Sequence, residues 1–281
     1  PQEFIVDDQD GVQNPLGMAA ARLEVNVHIV TGSVTSAQNI IKCCNQSGLD
    51  VEDIVLEPLS SSQAVLSPDE QEVGVVLVDI GGGTTDVTIY SEGSIVHTAV
   101  LALGGNHLTH DIAIGLGAPL HEAEEIKHNF GVAMSSMVKE DEMIDVPSVG
   151  GRNNRTMKKR VLASIIEDRF REIFELITHE IEKTHFHTLM ASGVVITGGT
   201  CIMPGADRLA SQVLNLPVRV GYPENIAGLR EMIYSPKYAT SVGLVRYGIT
   251  SNQGKLNFVG DDTNLFHKVS RRMKDWMQDF F

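Results

Sequence analysis

The sequence predicts an α/β protein built as two lobes. Short strand-like runs alternate with helix-like ones along the chain, the pattern of a sheet covered by helices. A chain of 281 residues with 42% hydrophobic side chains can bury a sizeable core and, at about 150 residues per domain, points to two lobes. Two apolar strands, "VVLVDI" and "GVVIT", each run into clustered glycines.

From the start, residues 25–30 (VNVHIV) alternate as a strand does, and Ser36 to Leu49 carries Ile40, Ile41 and Cys44 on one helical face with Gly48 as its stop. Residues 53–57 read as a strand, Pro58 opens a short helix, and "SPDEQE" reads as a charged link to a continuous apolar strand over 73–80. Strands over 87–90 and 94–103, joined by "SEGS", complete a meander, which predicts an antiparallel or mixed sheet edge. Two short helices follow, "LTHDIAIGLG" and "PLHEAEEIKHNFG", each closed by glycine. Residues 136–156 are polar and read as irregular, and from Lys158 to about Met190 Val161, Leu162, Ile165, Ile166, Phe170, Ile173, Phe174, Ile177 and Ile181 recur at helical spacing. The strand 193–199, a helix over 205–214, a strand over 217–221 and helices over 225–233 and 237–248 finish the folded part. No repeat or low-complexity tract is present.

Composition excludes several classes. A formal charge of −14 repels phosphate backbones, so nucleic acid is not an expected partner. The three cysteines, Cys43, Cys44 and Cys201, have neither disulfide-framework nor metal-ligand spacing. No apolar run reaches the roughly 18–20 residues that span a bilayer, and no basic-then-apolar leader opens the chain. Pro1 stands first rather than methionine, as in a fragment or processed product. Of the ten histidines, the pairs His107/His110 and His185/His187 lack carboxylate or cysteine partners at ligand spacing and read as structural or surface groups. Ser60 to Ser62 lie outside any nucleophile-elbow context.

The chemistry concentrates in "VDIGGGTTD" (78–86). Three glycines after a buried strand sacrifice backbone order, and one return for that is close approach: successive N–H groups without Cβ atoms can wrap an anion. Gly81, Gly82 and Gly83 would supply the amides, and Thr84 and Thr85 hydroxyl donors. Asp79 sits where Mg²⁺ with its water shell would bridge phosphates, while Asp86 either joins it or caps the turn. A plain hairpin with a glycine-rich turn remains the alternative. Neither of the two commonest nucleotide signatures, GxGxxG or GxxxxGK[ST], occurs, and the balance shifts to a ligand site because "VVITGGT" (194–200) repeats the strand-into-glycine arrangement.

These segments resemble the actin-like ATPases. "VDIGGGTTD" looks like their second phosphate loop and "TGGT" (Gly198, Gly199) like their adenosine loop. "HEAEEIK" matches the helix that contacts adenine and ribose, which implies those roles for Glu124 and Lys127. "LEPLSSSQAVL" matches the segment whose glutamate, here Glu57, helps orient the attacking water. Within that superfamily the chain is similar to the FtsA family of bacterial cell-division proteins, through "PQEFIVDDQDGVQNPLGM", "GLDVEDIVLEPLSSSQAVL", "SVGGRNNR" and "YATSVGLVRYG". The fold implied is actin-like (ribonuclease H-like), with the first phosphate-loop strands missing from this chain. By the same resemblance, 1–26 is a remnant of a family-specific small subdomain, and 27–72 with 237–249 forms the first-lobe core. Residues 73–110 with 193–236 form the second-lobe core, and 111–192 its outer subdomain.

The implied function is an adaptor using ATP and Mg²⁺ chiefly as conformational ligands, at most a slow ATPase, that self-associates. It would bind the C-terminal tail of FtsZ, with Arg169 nominated as a contact, together with other division proteins, at the inner face of the cytoplasmic membrane at the septum. Without a first phosphate loop this chain is expected to bind ATP weakly and hydrolyse it negligibly. A PilM-like pilus assembly protein and a sugar-kinase-type phosphotransferase remain alternatives.

Residues 250–263 read as a polar linker. Beyond it, Leu265, Phe266, Val269, Met273, Trp276, Met277, Phe280 and Phe281 fall on one helical stripe, flanked by Lys268, Arg271, Arg272 and Lys274. Bulky apolar groups beside cations, in a chain otherwise acidic, describe a helix lying on an anionic membrane surface.

Overall fold

In the computed structural model, residues 1–148, 154–184, 191–226, 228 and 230–256 are described, the last five by backbone alone. They fall into two compact units, Pro1–Leu244 and Val245–Phe281.

The first unit is organised by a five-stranded mixed sheet of β4 (Val75–Ile80), β5 (Thr85–Ser91), β6 (Ser94–Leu101), β9 (Val194–Thr197) and β10 (Val218–Val220), in the order β10-β9-β4-β5-β6. β4, β9 and β10 run parallel, and β5 and β6 return antiparallel, as the meander predicts. Every residue of β4, β5 and β9 is buried, which is why β4 and β9 read as apolar runs.

Strand alternation sorts side chains between two cores. Val76, Val78, Ile80, Val87, Ile89 and Ile196 face one layer, made by α4 (Gly105–Leu116), α5 (Leu120–Phe130), α6 (Lys159–Glu182) and α7 (Ala206–Leu214). α6 buries Leu162, Ile166, Phe170, Ile173, Phe174, Ile177 and Ile181, the stripe its sequence period predicts, with Phe170 and Phe174 stacked at 5.7 Å. Val75, Leu77, Tyr90 and Val195 face the opposite side, against α2 (Glu57–Val65) and the start of α9 (Ala239–Leu256). Asp79 shares the parity of Val75 and Leu77, so it too points toward α2 and α9.

Elsewhere the expectations need correction. The strand expected over 25–30 forms instead as β3 (Leu23–Asn26), which with β1 (Glu3–Val6) and β2 (Gln9–Val12) makes a separate antiparallel sheet in the order β2-β1-β3. The β1–β2 turn holds Asp7 and Asp8 at positive φ, and Asp7 accepts the amides of Ala21 and Arg22. α1 (Val34–Gln46) begins where Ser33 caps it. Residues 53–57 form no strand: no neighbouring strand pairs with them among the described residues, and Glu57 already begins α2. The "SPDEQE" link is helical, α3 (Pro68–Val73), because Ser67 and Glu70 close a reciprocal capping box with Pro68 in the first turn. The polar stretch 136–156 contains a hairpin of β7 (Met143–Val146) and β8 (Arg155–Lys158). Of the helix expected over 225–233, the described residues show α8 (Arg230–Ile233). The segment read as a linker from residue 250 continues α9 through Leu256. In the second unit Thr250 donates to the Arg246 carbonyl at 3.0 Å. The membrane-helix residues, from Leu265 to Phe281, lie outside the described residues.

Candidate functional site

β4 ends at Ile80, and the next turn closes when the Gly81 amide donates to the Thr84 carbonyl at 2.9 Å. Gly82, Gly83 and Thr84 stand exposed at its tip. Three glycine-bearing loops then interlock. The Gly81 carbonyl accepts the Gly105 amide at 2.9 Å and the Thr200 hydroxyl at 2.8 Å, and the Gly82 carbonyl accepts the Asn106 amide at 2.7 Å. A Cβ at Gly104 would come within 2.7 Å of the Gly81 carbonyl oxygen, so that approach depends on glycine. Gly198, at φ 92°, lies so close to β4 that a Cβ would meet the Ile80 carbonyl at 2.4 Å and Asp79 Oδ1 at 2.5 Å. Gly199 opens a 3-10 turn, Gly199–Ile202, that carries Thr200 to Gly81.

Beside this junction three carboxylates gather. Asp79 pairs directly across the ladder with Asp86, which places both on one face of the sheet. Both are buried, whereas Glu57 at the first turn of α2 is exposed. Burial, then the charges of Glu57 and Asp79, push the Asp86 carboxyl up to about 6. Burial raises Asp79 as well, opposed by the Ser61 hydroxyl and reinforced by Glu57. Ser61 Oγ donates to Asp79 Oδ2 at 2.7 Å, and Thr240 Oγ1 stands 3.4 Å from both Asp79 Oδ2 and Glu57 Oε1.

A desolvated pair of like charges is costly, and a cation relieves it. The described residues hold no group of three or more His, Cys, Asp or Glu side chains able to bind a metal by themselves. A cation at Asp79 would therefore draw most of its ligands from water and phosphate oxygens, the habit of Mg²⁺. The residues present fit such an ion: one buried carboxylate, further negative charge nearby, and an adjoining backbone turn free of side chains.

On the other side, Lys127 donates to the Gly105 carbonyl at 3.1 Å, to Thr109 Oγ1 at 2.8 Å and to Glu124 Oε2 at 2.8 Å. Three acceptors match the three protons of its ammonium, so the expected ligand contacts of Lys127 require one of these bonds to be exchanged. Glu124 also accepts from Thr109; burial works against its ionisation, and Lys127 and Thr109 outweigh it to hold the carboxyl below its ordinary range.

Most expected residues thus converge: Glu57, Asp79, Gly81 to Thr84, Glu124, Lys127, Gly198 and Gly199 belong to one network around the ends of β4 and β9. Thr85 does not serve as expected. Its buried hydroxyl donates to the Leu103 carbonyl at 2.8 Å, because strand alternation puts it on the face of Ile80 and Val87, opposite to that of Asp79 and Asp86. Arg169 is not a free cation either: it grips Asp111 at 2.5 and 3.0 Å and also bonds Glu172, joining α6 to α4. Sequence reasoning missed Ser61, Gly104, Gly105, Asn106, Thr109, Thr200 and Thr240. The "LGGNH" after β6 repeats the strand-into-glycine pattern and could have exposed three of them. His107 proves structural, its Nδ1 accepting the Gly104 amide at 3.1 Å.

Comparison with known proteins shows what the chain as a whole resembles. The family model described as cell division protein FtsA matches residues 76–243, and one described as an SHS2 domain inserted in FTSA matches residues 1–31. The cell division protein FtsA of Pseudomonas aeruginosa is 42% identical over all of this chain and 68% of that relative. The corresponding Escherichia coli K12 protein is 38% identical, again over the whole chain and 69% of its own length. Among solved structures, MreB5 of Spiroplasma citri bound to ADP superposes with a TM-score of 0.65 at 19% identity, covering 80% of this chain and 68% of that one. That likeness is one of fold.

Proposed function

Because the chain belongs to the FtsA family of cell division proteins and carries an actin-like α/β fold, we propose that it is part of an ATP-dependent adaptor of the division machinery. Family membership selects this reading over the pilus-assembly and sugar-kinase alternatives. The observation that carries nucleotide binding is the junction of Gly81, Gly198 and Thr200 beside the buried Asp79. Exposed amides at the Gly82–Thr84 tip would take phosphate oxygens, as anion-binding turns do. Asp79 would hold the hydrated Mg²⁺, whose charge offsets the crowded carboxylates, and Glu57, near the mouth, would orient a water. Gly198 and Gly199 would bound the nucleoside side, with Glu124 and Lys127 keeping the α4–α5 wall in place. Nucleotide serves here as a conformational ligand that favours self-association.

In the same proposal the outer face of α6 near Arg169 receives the FtsZ tail, a tail carboxylate exchanging for Asp111 or Glu172. The stripe containing Phe266, Val269, Met273, Trp276, Met277, Phe280 and Phe281, with Arg271 and Arg272, lies on the anionic inner face of the cytoplasmic membrane at the septum. No helix among the described residues is long and apolar enough to cross a membrane.

Calorimetry with ATP, with and without Mg²⁺, tests the site. Mg²⁺ should tighten binding roughly tenfold, about 1.4 kcal/mol, and Asp79→Asn should remove that gain. Equal affinities for wild type and Asp79→Asn at saturating Mg²⁺ would overturn the assignment. For the tail, liposome co-sedimentation unchanged by Trp276→Glu with Phe280→Glu would remove the membrane role.

A further inference from the structure

The triple serine of "EPLSSSQ" lies on α2, and all three serines are buried, each with a different partner. Ser60 donates to the Thr240 carbonyl at 2.7 Å, and Ser62 donates to the Leu59 carbonyl at 2.9 Å while accepting from the Tyr90 hydroxyl at 2.7 Å. Only Ser61 reaches the acidic cluster, at 2.7 Å from Asp79 Oδ2. We propose that Ser61 is a positioning residue for Asp79: its hydroxyl holds Oδ2, and so fixes Oδ1 against Gly198 at the mouth of the glycine junction. The inference rests on reading Asp79 as the cation-holding carboxylate.

The terminal torsion of an aspartate is broad and roughly two-fold, so its packing alone leaves the oxygens weakly oriented. A charge-assisted hydrogen bond supplies the missing restraint, and Ser61, fully buried, meets no competing water. Thr240 is the weaker restraint, 3.4 Å from Asp79 Oδ2 against 2.7 Å for Ser61. Its hydroxyl has one proton and three acceptors within reach: Ser61 Oγ at 3.0 Å, and Asp79 Oδ2 and Glu57 Oε1, both at 3.4 Å. With the Ser61 proton spent on Asp79, the Thr240 proton is best placed on the Ser61 oxygen. Thr240 thus acts through Ser61, at the longer distance. The Gly198 backbone, against which a Cβ would lie 2.5 Å from Oδ1, is the other jaw of the clamp.

Crystal structures of Ser61→Ala and Ser62→Ala without nucleotide test the orientation directly, since both remove one buried hydroxyl from the same helix. The Asp79 carboxylate should rotate in Ser61→Ala and hold its rotamer in Ser62→Ala. An unrotated Asp79 in Ser61→Ala overturns the proposal. In parallel, ATP titrations should show Ser61→Ala losing most of the roughly tenfold gain from Mg²⁺, with Mg²⁺-free affinity within about twofold of wild type. Ser61→Cys, which keeps a weak donor at similar volume, should recover part of it. Equal losses with and without Mg²⁺ would make Ser61 a packing residue and also overturn the proposal. Should wild type show no Mg²⁺ gain, nucleotide binding as read above fails, while the rotamer comparison still decides what Ser61 does.

Discussion

Replacing Gly198 by alanine puts a methyl carbon 2.4 Å from the Ile80 carbonyl oxygen and 2.5 Å from Asp79 Oδ1, at a residue whose φ is 92°. Two penalties add. At φ 92° and ψ 165° the backbone lies in a region essentially reserved for glycine, and holding an L-residue there costs on the order of 1–3 kcal/mol. Forcing β4 and β9 apart in a packed interior costs about 1–3 kcal/mol more. The neighbour is main chain, which cannot swing aside as a flexible side chain would. The expected loss is therefore about 2–6 kcal/mol, or about 2–4 °C of melting temperature per kcal/mol for a domain of this size. Urea unfolding followed by circular dichroism measures it, with the change read from the midpoint at constant slope. A loss under about 0.5 kcal/mol would show that Gly198 has room, and the close contact of the two glycine turns would be wrong. Gly82→Ala is the control, since a Cβ there meets nothing nearer than 3.6 Å.

Two further predictions concern charge. The folded Asp86 carboxyl, raised from 3.8 to about 6, takes up a proton more readily than the unfolded chain, so stability should rise as pH falls through 6 toward 3.8 and change little above about 7. Asp86→Asn should flatten that slope and stabilise the protein at pH 7.5 by something on the order of 2–3 kcal/mol. Measuring between pH 5 and 8 avoids Glu70 and Glu124, where Arg219 and Lys127 outweigh burial and lower the carboxyls. A flat wild-type profile would contradict the clustering of Asp79, Asp86 and Glu57. For the α4–α6 strut, Arg169→Ala and Asp111→Ala should each destabilise, and a double-mutant cycle should show coupling of about 1–2 kcal/mol, because both partners are largely shielded. Additive single effects would mean that Arg169 is free for a partner after all.

Several elements were legible because their cause is local. The apolar runs of β4 and β9 announce strands buried on both faces, and the period of α6 announces its core stripe. Local signals also mislead when the deciding partner is weighed wrongly. The charge of "SPDEQE" suggests a link, although the spacing of Ser67 and Glu70 is a helix start. Residues 53–57 have strand composition and no described strand to pair with, and a ladder needs both sides. The β7–β8 hairpin formed within a stretch whose polarity suggested irregular chain.

What the sequence settled by itself was the inventory: glycine turns after apolar strands, an acidic residue at the exit of one of them, and, by resemblance, the family's order of motifs. Tertiary structure decided which groups face one another. Strand parity sent Asp79 toward α2 and α9, turned Thr85 inward to Leu103, and set Asp86 across from Asp79. Ser61, Thr200 and Thr240 entered the site from 18, 119 and 161 residues away along the chain from their partners. Hydrogen bonds act over about 3 Å of space regardless of sequence separation. No local pattern could have identified those partners before the sheet and helices were packed.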